Sequence, residues 1–202
     1  MNRKMKRVLW LCKIIVLGIV CYSCGGLKGE NKASYDSLFL GIYLGMGQKE
    51  FYDYCWQMNK EKKFTHGPTN QSVEYRIVEG MKQPVMMRFY PSFHAEKVYE
   101  MPVTFTYEAW APWNKQLGAD SLVNDVLSLF KRWYGDDFKS LEHKTMGTVY
   151  YRMDGKRRIN LFKRDDQYVQ AVFTDLRVEK QIKEEKEKGT NTETEAVKDD
   201  RQ

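Results

Sequence analysis

The sequence predicts an α+β fold: an antiparallel sheet with helices packed on one face. Three observations predict it. Two segments repeat apolar residues at helical spacing. Each is followed by three segments that alternate apolar and polar residues. The resulting order of helix, three strands, helix, three strands would join into one antiparallel sheet in a layered domain. The domain spans residues 34–178 and is compatible with two tandem α-β-β-β lobes, at 34–109 and 114–178.

The elements follow in order. Leu38 to Leu44 (LFLGIYL) is a short apolar run and predicts a strand. Gly45-Met46-Gly47 turns the chain. Gln48 to Lys62 predicts a helix, with Phe51, Tyr54, Cys55 and Met58 on one stripe. Gly67-Pro68-Thr69-Asn70 is a loop. Ser72–Val78, Val85–Tyr90 and Val103–Tyr107 each alternate with period two, which places one face on a core and the other toward water. Trp110-Ala111-Pro112-Trp113 interrupts the pattern. Asp120 or Ser121 then caps a second helix that ends near Tyr134-Gly135, with Leu122, Val126, Leu129, Phe130 and Trp133 as its stripe. Thr148–Met153, Arg158–Phe162 and Tyr168–Thr174 predict three more strands. Asp154-Gly155 marks a hairpin turn, and Asp165-Asp166 a weaker one.

Val73-Glu74-Tyr75-Arg76 and Val149-Tyr150-Tyr151-Arg152 match at three of four positions. An internal duplication accounts for the match, and so does chance in an aromatic-rich chain. From Glu179 the chain is dense in charge, with Ile182, Ala196 and Val197 its apolar residues. The tail at 179–202 therefore reads as a frayed helix running into disorder. A partner-binding helix would need the apolar stripe that this tail lacks.

The first residues follow a different logic. Arg3, Lys4, Lys6 and Arg7 form a basic start. An apolar stretch follows, interrupted by Lys13, and then Cys21-Tyr22-Ser23-Cys24-Gly25-Gly26. This is the pattern of a secretory signal at 1–23 with a polar tether at 24–33. A permanent anchor needs about 20 mostly apolar residues. Val8 to Cys21 is shorter, and Lys13 costs roughly 2.5–3.5 kcal/mol at a helix centre.

These residues resemble a bacterial lipoprotein precursor. Ser23 at −1 and Cys24 at +1 fit the family's lipobox, while Tyr22 and Cys21 depart from it. An ordinary hydrophobic signal with incidental cysteines is the alternative. The resemblance implies lipidation of Cys24, and so a bilayer partner reached through acyl chains. Each buried CH₂ contributes about 0.8 kcal/mol, and one chain alone holds marginally. Gly25 after the cysteine resembles the outer-membrane sorting signal, which implies a periplasm-facing outer-membrane location over an inner-membrane one. The tandem helix-plus-sheet order is similar to the β-lactamase-inhibitor-protein-like and outer-membrane assembly lipoprotein families. Leu44-Gly45-Met46-Gly47-Gln48-Lys49-Glu50 carries that likeness, with Gly47 in place of the usual Ser or Thr cap. It implies a version of the function as a periplasmic inhibitor or immunity protein, and no site residues.

Processing changes the charge. The chain has 33 basic and 27 acidic residues, a net charge of +6. Five of the basic residues and none of the acidic ones precede Cys24, so the remainder is 28 basic against 27 acidic. The basic excess belongs to the signal and gives no support for a nucleic-acid partner. After processing Cys55 is the one unmodified cysteine, which excludes an intramolecular disulfide. Its place in a helical pattern among aromatics favours a buried, inert thiol over a nucleophile.

A search for chemistry finds no catalytic residues, no cofactor motif and no metal-ligand spacing among His66, His94 and His143. The acidic pairs Asp136-Asp137, Asp165-Asp166 and Asp199-Asp200 favour solvated turns over acid–base work or calcium. Met81, Met86, Met87 and Met101 favour core packing over soft-metal binding. Trp110 and Trp113 are the candidate partner-binding residues, for a protein or an envelope glycan, because unpatterned aromatics at a junction anchor partners. Sealing the junction between lobes is the plainer role for both. The expectation is a non-enzymatic envelope lipoprotein of binding or accessory type. Its rival is an envelope enzyme acting on glycan or peptide through residues that converge only in three dimensions.

Overall fold

The computed structural model describes residues 36–68 and 71–199. Cys24, the signal and the tether lie outside the described residues, as does part of the loop after Gly67. The compact unit that holds the described residues begins at Tyr35 and runs to the end of the chain.

Helix α1 is Gln48–Lys60. Strands β1 (Thr65–His66), β2 (Val73–Ile77), β3 (Val85–Phe89), β4 (Ser92–His94) and β5 (Lys97–Tyr107) follow. Helix α2 is Ala119–Tyr134. Then come β6 (Lys139–His143), β7 (Gly147–Asp154), β8 (Arg157–Lys163) and β9 (Val169–Asp175), and helix α3 (Leu176–Asp199). All nine strands join one sheet with the order β1-β2-β3-β5-β9-β8-β7-β6, and β4 pairs beside β5. Every pairing is antiparallel. The fold is α+β, as expected.

The order reads the same from either edge. One half is a helix followed by β1, β2, β3 and β5; the other is a helix followed by β6, β7, β8 and β9. The last strands of the two halves, β5 and β9, form the central seam, from Glu100↔Thr174 to Phe105↔Val169. Each half thus has four path strands rather than three. The two outer ones escape sequence reading for physical reasons. β1 is two residues long, and β6 (KSLEH) is exposed at every position, so neither shows apolar alternation.

The four-residue match does not survive the register. Val73 and Tyr75 pack against the core from β2. On β7, Tyr150 pairs with the core residue Leu161 and Arg152 with Ile159, so Val149 and Tyr151 point to the opposite face. A one-residue slip in a strand exchanges its faces. The halves repeat in topology, and the matching residues are not equivalent.

The core lies between the sheet and helices α1 and α2. Met87, Phe89, Met101, Val103, Phe105, Ile159, Leu161, Ala171 and Phe173 present the sheet's inner face. Phe51 of α1 and Leu122, Val126, Leu129 and Phe130 of α2 cover it. Each fully buried side chain of this size contributes about 1.5–3 kcal/mol. Met87 and Met101 are fully buried, which accords with packing.

Leu38–Leu44 is not a strand. It is a chain of turns, with Leu40, Gly41 and Gly45 at positive φ. Glycine adopts that region without the cost that a Cβ brings. The turns bury Leu38, Phe39, Ile42 and Leu44 together, where a strand would bury alternate residues. Phe39 meets Phe89 from one half of the sheet and Phe173 from the other. Tyr54 of α1 donates to the Leu40 carbonyl, and Tyr134 of α2 donates to that of Leu38. The segment is therefore a plug held by both helices over the seam.

Neither Asp120 nor Ser121 caps α2. Its N-cap is Gly118, and the Ala119 N–H donates to the Asp166 carbonyl in the β8–β9 turn, 2.9 Å away. That carbonyl satisfies a first-turn donor, and Asp120 instead pairs with Lys163 at 2.9 Å. Asp154 pairs with Arg157, so the β7–β8 turn is Gly155-Lys156 with Gly155 at φ 57°.

The tail, expected to begin at Glu179 and run into disorder, is α3, which starts at Leu176 and is helical to Asp199. Local pairs at four-residue spacing, Glu179 with Lys183 and Lys180 with Glu184, support it. Glu179 also binds both terminal nitrogens of Arg158 at 2.9 and 3.2 Å. Arg158 alternates with the core residue Ile159, so the first turns of α3 reach the face opposite α1 and α2. Burial, then the charge of Glu179, raises the Glu100 carboxyl on that face.

Candidate functional site

An apolar pocket lies beside α1, on the first half of the fold. The helix presents Phe51, Tyr52, Cys55, Trp56 and Asn59 to it, a spacing that keeps them on one side. His66 of β1, Val73 of β2 and Tyr90 after β3 also line it. The volume is about 280 Å³. In the β1–β2 connection a Cβ at Gly67 would stand 2.1 Å from Ser72 Oγ, so a larger residue there would displace the Ser72 side chain.

The aromatic rings are held in place. Tyr52 and Tyr90 share a hydroxyl–hydroxyl hydrogen bond of 2.7 Å, and Gln48 donates to Tyr52 at 3.1 Å. The bond to Tyr52, then burial, pushes the Tyr90 phenol up to about 12, so it remains protonated at neutral pH. Phe51 meets Tyr90 edge to face, an arrangement favoured by the ring quadrupoles. Trp56 is 62% exposed, and Lys60 Nζ stands 3.3 Å from its ring centroid. Such a cation contributes about 0.5–1 kcal/mol at exposed sites. Asn59 Nδ2 donates to the Phe64 carbonyl at 3.0 Å. No Asp, Glu, Lys or Arg is among the described lining residues.

Cys55 and His66 share this pocket, but the geometry does not make a nucleophile of the thiol. Burial pushes the Cys55 thiol up to about 12, and a reactive cysteine needs the thiolate. Alkylation of Cys55 by iodoacetamide at pH 8 is expected to run at least about a hundredfold slower than that of an unperturbed thiol. Quantifying the modified peptide against time checks it, and a rate near the free thiol's would contradict the burial.

No family model, curated protein or solved structure matches the chain.

The other candidates are dispersed. His94 Nε2 lies 3.9 Å from Glu185, and His143 contacts the Thr145 hydroxyl at 3.2 Å. Asp137 pairs with Arg152, Asp165 accepts from the N–H groups of Gln167 and Tyr168, and Asp166 pairs with Lys163. Asp200 of the last pair lies outside the described residues. No group of three potential metal ligands forms among the described residues, and no helix among them is long and apolar enough to cross a membrane.

The two tryptophans named by the sequence have different surroundings. Both lie in the β5–α2 connection, which ends in a single 3₁₀ turn at Lys115–Leu117. Trp110 is half-buried against the core, and its backbone N–H donates to the Tyr107 carbonyl at 3.2 Å. Trp113 is 85% exposed. The structure does not bring either to the α1 pocket. Sequence reasoning missed Tyr52 and Trp56 because they flank the α1 stripe instead of lying on it. Their four-residue spacing beside Phe51 and Cys55 was the available signal.

Proposed function

We propose that this protein is a lipid-tethered, non-enzymatic binding protein of the bacterial cell envelope. The observation that carries the binding half is the α1 pocket, with aromatic walls and a thiol kept in its neutral form. Apolar concave sites with a few placed polar groups are the usual form of a binding site. The tether rests on Cys24 after Ser23 and the apolar run, with two or three acyl chains holding where one would not. Trp113 offers a second, exposed contact point, and Trp110 supports its connection from below.

Membrane fractionation tests the tether. Wild type is expected in the membrane fraction and Cys24→Ser in the uncleaved or soluble form. Equal membrane retention of a processed Cys24→Ser protein would contradict it.

A further inference from the structure

We propose that the α1 pocket takes a neutral sugar ring, a proposal that rests on the binding reading above and names its ligand class. Three features favour that chemistry.

The first is charge. No carboxylate, lysine or arginine is among the described lining residues, and the Lys60 ammonium beside them is engaged over the Trp56 ring. Burying an unpaired charge there would be costly.

The second is amphipathy. Trp56, Tyr52 and Tyr90 present partly exposed ring surface at the mouth. Polar atoms sit among them: the Tyr52–Tyr90 hydroxyl pair, the Asn59 carboxamide whose nitrogen is committed to Phe64, and the His66 ring. A wholly apolar ligand would strip water from these atoms without replacing its hydrogen bonds. A sugar ring carries C–H faces for the aromatic surface and hydroxyls for the polar atoms.

The third is size and order. About 280 Å³ lies just below the range of about 300–1,000 Å³ usual for drug-sized ligands, which suits one ring rather than a longer chain. The Lys60 contact and the hydroxyl pair bias the rings toward this arrangement before a ligand arrives, which lowers the ordering left to binding.

Saturation-transfer NMR on the full chain in phospholipid nanodiscs tests the proposal. The probes are methyl β-glucoside, methyl β-galactoside and N-acetylglucosamine, with N-acetyltryptophanamide as a stand-in for a protein side chain. At least one sugar is expected to give saturable transfer to its ring C–H protons. Trp56→Ala is expected to weaken that affinity about tenfold or more, Trp56→Phe to restore part of it, and Met153→Ala, at an exposed residue away from the pocket lining, to leave it unchanged. Trp56 is largely exposed, so its loss leaves the core intact, and the amide spectrum verifies this. No saturable sugar signal, a signal indifferent to Trp56→Ala, or saturation by N-acetyltryptophanamide alone would overturn the proposal while leaving a tethered binding protein in place. Conversion of a bound sugar into a new product would overturn the non-enzymatic reading and leave the sugar site standing.

Discussion

Phe173→Ala is expected to cost about 3–5 kcal/mol, the range for removing a large buried aromatic. Phe173 is fully buried at the centre of β9, beside the seam with β5. Its ring meets Phe39 of the plug at 5.5 Å, and Phe130 and Tyr134 of α2 at 5.6 and 5.7 Å. The substitution therefore opens a cavity where the plug, the second helix and the seam converge. The plug and α2 are both fixed elsewhere, so the space cannot collapse freely. In a domain of this size the loss lowers the melting temperature by on the order of 10 °C. Urea denaturation measures it, with Trp113→Ala as the comparison, expected within about 0.5 kcal/mol of wild type. A Phe173→Ala loss under about 1 kcal/mol would mean that the three elements do not share this contact.

Asp154→Ala is expected to be as damaging by a different mechanism. Arg157 is buried, with its side chain 4% exposed, and Asp154 is 6% exposed. Asp154 accepts from Arg157 through both carboxylate oxygens, at 2.9 and 2.6 Å, and from Arg152 at 3.1 Å. Arg157 also donates to the Ser37 carbonyl and lies over the Tyr134 ring. The carboxylate thus holds the guanidinium that ties the start of the plug to the β7–β8 turn. Removing it strands a buried cation, which costs about 3–5 kcal/mol. Replacing both partners, Asp154→Leu with Arg157→Met, leaves no guanidinium at 157 to strand and leaves Arg152 its Asp137 partner, and is expected to cost clearly less. Equal losses in the single and double variants, measured by urea denaturation, would show that desolvated charge is not the cause.

The fold class was legible because its longest elements carry strong periods. Helix α2 has a continuous stripe from Leu122 to Phe130, and β3 and β9 alternate cleanly. Elements whose form depends on neighbours were not legible. The plug has the apolar content of a strand, but its shape is set by Tyr54 and Tyr134 holding its carbonyls and by positive φ at Gly41 and Gly45. β6 exists because β7 offers a ladder, not because KSLEH has a pattern. The Gly118 cap of α2 relies on a carbonyl some 50 residues away at Asp166. The α1 pocket was half legible. Its α1 residues sit at helical spacing, but other lining residues come from β1, β2 and Tyr90, which sequence order does not place there.

One sheet built from two like halves leaves the proposed sites on different elements. The α1 pocket belongs to the first half, and Trp113 to the connection between halves. The half-buried Tyr151, Phe162 and Val172 lie on the sheet face opposite α1 and α2. Tethering by Cys24 would hold all of these near a membrane and confine the search for partners to the envelope.

The mass of the mature N-terminus tests that central claim most directly. The account predicts a chain beginning at Cys24, with a diacylglyceryl group on its sulfur and an acyl chain on its amine. An unmodified terminus at another residue, or an intact Met1, would contradict it.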